Sequence, residues 1–165
     1  MHGKGLVFSV SVAIGLAGSV CLGMLAGCTD GRPKRVPVAG QVLIDGQPLT
    51  PKGPGYYYIR LVPADARPAL GLIDSEGRFR LTTFEGEDGC TLGEHKVVVM
   101  AYEQIGPAAC RWLVPKKYSD LRTTDKTVRI TGPMKDLKIE LSWEGGKPFI
   151  ERFDLSGDSD PAKIR

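Results

Sequence analysis

The chain contains no asparagine, so no Asn-x-Ser/Thr glycosylation acceptor can occur in it. Histidine is almost as scarce: there are two, His2 and His95, and the first falls in a leader-like segment. A site built on several histidines is therefore excluded. No His-x-x-Glu pair occurs, which removes a zinc carboxypeptidase site. No Gly-x-Ser-x-Gly occurs, which removes a serine elbow. The acidic residues Asp154, Asp158 and Asp160 lack the ligand spacing and closing Glu of an EF-hand. No run of five like charges appears, and the net charge is only +3. Interspersed charges of both signs form no electrostatic footprint for nucleic acid. After residue 35 no segment keeps a 3.6-residue apolar period over three turns, so an amphipathic helical core is not expected.

Present instead are 21 glycines and 12 prolines in 165 residues, the composition of a turn-rich fold. Residues 1–27 read as a signal peptide. His2 and Lys4 make a weakly basic start, and residues 6–25 then carry no charge. The stretch ends Leu25-Ala26-Gly27-Cys28, which looks like a bacterial lipobox: an aliphatic residue, two small residues that let an extended chain enter the signal peptidase, then cysteine. Cleavage is expected between Gly27 and Cys28. Lipidation is expected at Cys28, whose sulfur forms a thioether to diacylglycerol and whose acyl chains are of the palmitate class. An uncleaved membrane anchor is the alternative, disfavoured by the Gly, Ala and Ser content and by the complete motif. Each buried CH₂ contributes about 0.8 kcal/mol, so a multiply acylated cysteine holds a protein on a membrane. Thr29, being no aspartate, points to the outer rather than the inner membrane. Residues 28–35 form a polar tether that reaches at most about 25 Å.

From Val36 the pattern changes to short alternating runs bounded by turn residues, the signature of strands. Val36, Val38, Val42 and Ile44 share a face, and Asp45-Gly46 supplies a tight turn. Tyr57, Ile59 and Leu61 alternate with Tyr56, Tyr58 and Arg60. Asp74-Ser75-Glu76-Gly77 is a turn, after which Phe79 and Leu81 resume the alternation. Residues 96–102 are apolar on both faces and read as a central, doubly covered strand. Val128 and Ile130 make another strand, Leu137, Ile139, Leu141 and Trp143 alternate with polar residues, and Phe149, Phe153 and Leu155 suggest a last strand. The expectation is an all-β domain over residues 36–155: a two-sheet antiparallel β-sandwich of about seven strands, prealbumin-like or Ig-like, followed by a polar tail over 156–165.

The order of these motifs carries a resemblance. Val38-x-Gly40-x-Val42 is followed by Asp45-Gly46-x-Pro48-Leu49, then Val62-Pro63, Ala69-x-Gly71 and Asp74-x-x-Gly77-x-Phe79-x-Leu81. Next come Asp88-Gly89, Gly93-x-x-x-Val97-x-Val99 and Val114-Pro115-x-x-Tyr118-Ser119-Asp120, ahead of Thr124 and Val128. The series resembles the small secreted bacterial lipoproteins that bear a carboxypeptidase-regulatory-like, or transthyretin-like, domain. The resemblance implies a prealbumin-like sandwich whose role is to assist, bind or space. Related enzymes need residues absent after the leader, where His95 is the one histidine: hydroxyisourate hydrolases use two histidines, an arginine and a Tyr-Arg-Gly-Ser segment, and intradiol dioxygenases use two His and two Tyr around iron.

No catalytic residue, metal or cofactor is therefore expected. His95 is read as a solvent-facing strand position. Cys90 and Cys110 either form a disulfide, which an extracytoplasmic setting permits, or remain two buried thiols. Tyr56, Tyr58 and Arg60 offer a possible ligand face for a sugar or a protein, unless the second sheet or a loop covers it. The expected partners are the membrane, through the lipid, and an envelope protein or glycan. The leading expectation is a lipid-anchored, non-catalytic module of the cell envelope with an interaction or structural role.

Overall fold

The computed structural model describes residues 33–153. The signal peptide, Gly27, Cys28, Leu155 and the tail 156–165 lie outside the described residues. The chain divides after Gly31 into two units, and all the buried core reported below lies within the second, Arg32–Arg165.

Twelve strands and one 3₁₀ turn occur among the described residues. In chain order the strands are β1 (Arg35–Val36), β2 (Val38–Ile44), β3 (Gln47–Pro48), β4 (Gly55–Pro63), β5 (Ala69–Leu72) and β6 (Arg78–Arg80). They continue as β7 (Cys90–Thr91), β8 (Gly93–Gly106), β9 (Ala109–Trp112), β10 (Thr127–Ile130), β11 (Met134–Leu141) and β12 (Phe149–Arg152), with the 3₁₀ turn at Lys116–Ser119. The count exceeds the expected seven. Two-residue pairings such as β1 with β7 are too short to leave a period-2 pattern, and β9 was invisible because its neighbours set its register.

The fold is a sandwich of two main layers. One sheet has the order β12-β9-β8-β4-β5, with β10 pairing the first part of β8. The other has β11-β2-β3, with β6 also pairing β2. The pairing of β11 with β2 is parallel, a departure from the all-antiparallel expectation. Parallel neighbours need a long connection, and here nearly the whole domain separates them. Gly40 allows this approach: a Cβ there would lie 2.1 Å from the Leu137 carbonyl oxygen. The chain passes from β5 in one sheet to β6 in the other through the expected turn, where the Asp74 carboxylate accepts the N–H groups of Glu76 and Arg78, each at 2.8 Å. Asp45 and Gly46 both adopt positive φ, 48° and 78°, as a tight β2–β3 turn requires.

The core lies between the sheets. Val42, Phe79 and Ile139 face Ile59, Leu61 and Val97 across it. Val99 and Ala101 are also fully buried there, and Val98 on the opposite face of β8 is buried too. β8 is therefore central in its sheet, between β9 and β4, as the apolar run 96–102 indicated, but it is fully covered on one face only: on the other, Val98 is buried while Met100 and Tyr102 are half-buried and Lys96 is exposed. Burial of one such valine stabilises by roughly 1.5–3 kcal/mol.

His95 departs from the expectation. It is 1% exposed, Nε2 lies 2.9 Å from the Thr91 carbonyl oxygen, and Nδ1 has no partner among the described residues. The cause is phase: His95, Val97, Val99 and Ala101 share one face of β8, and that face is the core. Cys90 and Cys110 are both buried free thiols, so the disulfide considered above does not form. Cys90 precedes the start of β8, whereas Cys110 pairs with Gln104 near its far end. The strand from Gly93 to Gln104 spans about 36 Å, far beyond the roughly 6 Å between Cα atoms that a disulfide bridges.

Candidate binding face

The pleat of β4 turns Tyr57, Ile59 and Leu61 into the core and leaves Tyr56, Tyr58 and Arg60 on the outside. The second sheet therefore does not cover the face those three residues form. Tyr56 is 58% exposed, Arg60 is exposed and Tyr58 is half-buried.

Register extends this face. Tyr56 stands opposite Tyr102 of β8, Tyr102 opposite Trp112 of β9, and Trp112 opposite Phe149 of β12. Four aromatic side chains thus form one cross-strand row on the outer face of the larger sheet. The Tyr56 and Tyr102 ring centroids are 5.2 Å apart, Tyr102 and Trp112 5.3 Å, and Trp112 and Phe149 6.4 Å. Trp143, just past β11, meets Phe149 edge-on at 6.4 Å. It is therefore not the last member of the β11 alternation, as its spacing had implied; β11 ends at Leu141. A neighbouring row places Leu72, Tyr58 and Met100 side by side.

The middle of the aromatic row is locked. Trp112 is only 5% exposed. Its indole N–H donates to Glu151 Oε2 at 2.7 Å, and Lys116 Nζ donates to Glu151 Oε1 at 2.8 Å. Lys116 Nζ also lies 5.2 Å from the Trp112 ring centroid, a cation–π distance. The Lys116 ammonium and then the Trp112 N–H hold the Glu151 carboxyl below its ordinary range. Part of the row is therefore structural: it fastens β12 to β9, each aromatic pair contributing about 0.5–1.5 kcal/mol beyond its buried area. The ends differ. Phe149 is 39% exposed, and Phe153 and Ile150 beside it are exposed as well.

The tilt of the rings limits what they can hold. Tyr56 and Tyr102 are inclined at 37°, and Tyr102 and Trp112 at 49°. With Lys116 over the Trp112 ring, the row presents a ridged apolar surface rather than a flat stacking platform. Burial pushes the Cys90 thiol up to about 11, so it is a protonated core group. Burial likewise raises the Cys110 thiol above its ordinary value.

Of the residues singled out in the sequence, Tyr56, Tyr58 and Arg60 do share an outward face. Tyr102, Trp112 and Phe149 complete it and were missed. Tyr102 was legible as the outward end of residues 96–102, but nothing local shows which residues of β9 and β12 stand beside it.

Comparison of the chain with family models, with curated proteins and with solved structures found no match.

Proposed function

We propose that this chain is a lipid-anchored, non-catalytic module of the bacterial cell envelope that binds another envelope protein through the outer face of its larger sheet. The observation that carries the reading is the outward row of Tyr56, Tyr102, Trp112 and Phe149. An antiparallel sheet with one buried face ordinarily turns polar residues to water on the other, and an exposed apolar patch marks an interaction site. The ridged rings and the absence of a flat platform favour an apolar protein surface over a sugar. The anchor rests on Leu25-Ala26-Gly27-Cys28, which carries the membrane attachment, and on Thr29, which favours the outer membrane. The non-catalytic reading is supported by the burial of His95 and Cys90 in the core. The resemblance to carboxypeptidase-regulatory-like lipoproteins agrees with a binding or spacing role.

The test is site-specific photocrosslinking in cells, with the reactive residue replacing Tyr56 in one strain and Arg78, on the other sheet, in a second. A discrete protein adduct formed from position 56, absent from position 78 and lost when Phe149→Ser is added, supports the reading. No adduct from position 56, together with glycan binding that Tyr56→Ala weakens, would replace it with a carbohydrate-binding role.

A further inference from the structure

An open groove of about 1080 Å³ runs along the outer face of the smaller sheet. Its floor is low because the outward residues of β2 there are short or flexible, Ala39 and Gln41. Its walls are cationic. On one side β6 sets Arg80 opposite Ala39 and Arg78 opposite Gln41. On the other, β11 sets Lys138 opposite Gln41, with Lys135 inside the register irregularity between Met134 and Leu137. Arg67 enters from the segment between β4 and β5.

Three carboxylates also line the groove, Asp74, Glu87 and Asp136. Asp74 is committed to its own turn. Glu87 pairs with Arg80 at 3.1 Å, and Glu76, outside the lining, pairs with Arg78 at 3.2 Å. Both pairs are more than half exposed, and exposed pairs of this kind are weak enough to exchange for another anion. Arg67 and Lys135 form no ion pair among the described residues.

Two further features adjoin the cations. Leu70 and Leu72 form the apolar lip of the groove, where the outer faces of the two sheets meet, and Leu72 is 74% exposed. The chain also enters the domain beside the groove. The Arg35 guanidinium lies 4.8 Å from the Phe84 ring centroid and the Arg67 guanidinium 5.1 Å from the same ring.

We infer that this groove docks on the anionic phospholipid headgroups of the membrane that holds the Cys28 acyl chains. The inference rests on the lipid-anchor reading for its geometry. Arg35 lies seven residues after Cys28, a reach of at most about 25 Å, so the surface beside Arg35 is the one held closest to the bilayer. Cations from three segments supply the complementary charge, and each one near an anionic surface raises partitioning about fivefold. Leu70 and Leu72 supply apolar contact at headgroup depth. The domain is thereby oriented, with its cationic groove toward the lipid and its aromatic row left open to a protein partner.

The test uses residues 29–165, which hold the whole core and carry no acyl chain, in sedimentation with vesicles of phosphatidylcholine alone or with one part in three phosphatidylglycerol. Binding at low salt should be at least about tenfold stronger to the anionic vesicles and should fall with added salt. Arg78→Ser/Arg80→Ser/Lys138→Ser should remove about tenfold or more of that binding. The charge-matched control Lys52→Ser/Arg129→Ser/Lys147→Ser, exposed cations outside the groove, should keep it within about twofold, and Leu72→Ser should weaken it by a smaller factor. Equal binding to both vesicle types, or a triple variant that binds like the parent, would overturn the inference. So would displacement by millimolar inorganic phosphate at constant ionic strength, which would make the groove a soluble-phosphate site. The anchor reading is scored separately, by fatty-acid labelling of the full chain in cells with and without Cys28→Ser, so the failure of one is distinguishable from the failure of the other.

Discussion

On the outer face of the smaller sheet stand Gln41, Arg78, Arg80, Lys138 and Glu140, with Ala39 and Leu43 among them; on the outer face of the larger one, beside Arg60, stand Tyr56, Tyr58, Leu72, Met100, Tyr102, Trp112 and Phe149. Both faces look away from the same core, and both belong to sheets with one buried side. The first obeys the ordinary rule for such a face and the second breaks it. The sheet edges repeat the contrast. β11 exposes Lys135, Asp136, Lys138 and Glu140, charges that discourage another chain from pairing with it. β12, the edge of the larger sheet, exposes Phe149 and Ile150. The lesson is that burial alone does not account for where the apolar residues lie. The larger sheet carries more of them than its core requires, and the surplus is concentrated in one row and at one edge.

The largest expected effect removes the support both faces share. Val97→Asp or Val99→Asp places an unpaired carboxylate in the inter-sheet core, at several kcal/mol against a total stability of roughly 5–15 kcal/mol. Either variant should be largely unfolded in chemical denaturation, whereas Glu140→Ala on the charged face should shift stability by about 0.5 kcal/mol or less. Equal stability of the three would mean that the core is misplaced.

Next comes the aromatic row itself. Trp112→Ala should destabilise by about 3 kcal/mol, because the indole is buried and anchors β12 through Glu151. Arg80→Ala, at a comparable strand position on the other sheet, should cost about 0.5 kcal/mol. If the two match, the row is not the fastener of β12.

A pH titration sharpens the same contrast. The Glu151 carboxyl is held below its ordinary value by Lys116 and Trp112. Its contribution is therefore present above the ordinary carboxylate range and is lost as pH falls through the lowered folded value. The Trp112 indole N–H resonance should move only in that acidic window, and Glu151→Gln should remove the movement. A resonance that moves with the unperturbed carboxylates near pH 4 would contradict the clasp. Asp88 behaves in the same sense. Burial alone would raise its carboxyl, but the N–H groups of Thr83 and Phe84 and the Arg35 charge together lower it. Acid should thus also loosen the β1 end of the domain, and Asp88→Asn should blunt that loss of stability.

The smallest effect on stability belongs to the exposed end of the row. Tyr56→Ala loses one tilted ring contact and should cost no more than about 1 kcal/mol, while it abolishes partner binding. A large loss of stability would make Tyr56 a structural residue and weaken its assignment to the binding face.

Much of the fold was legible from local pattern. The period-2 phase of Val38 to Ile44, of Tyr57 to Leu61 and of Leu137 to Leu141 correctly separated inside from outside, because each strand has one apolar and one polar or aromatic side. The turns at 45–46 and 74–77 were legible because Asp and Gly there meet a steric requirement that few other residues satisfy. His95 was misplaced because β8 is apolar on both faces, so alternation carries no phase within it. Its phase is shared with Val97, and only the partner strands reveal that this is the core side.

By itself the sequence determined an all-β domain, its turns at 45–46 and 74–77, several of its core strands and the shared face of Tyr56, Tyr58 and Arg60. These follow from sterics and side-chain periodicity within a few residues. The tertiary structure alone decided that Tyr102, Trp112 and Phe149 join Tyr56, that β11 runs parallel to β2, that Cys90 and Cys110 stand far apart, and that five cations from separate segments border one groove. Each of those depends on strand register between segments distant in the chain, and register is set by the packing of all the strands at once.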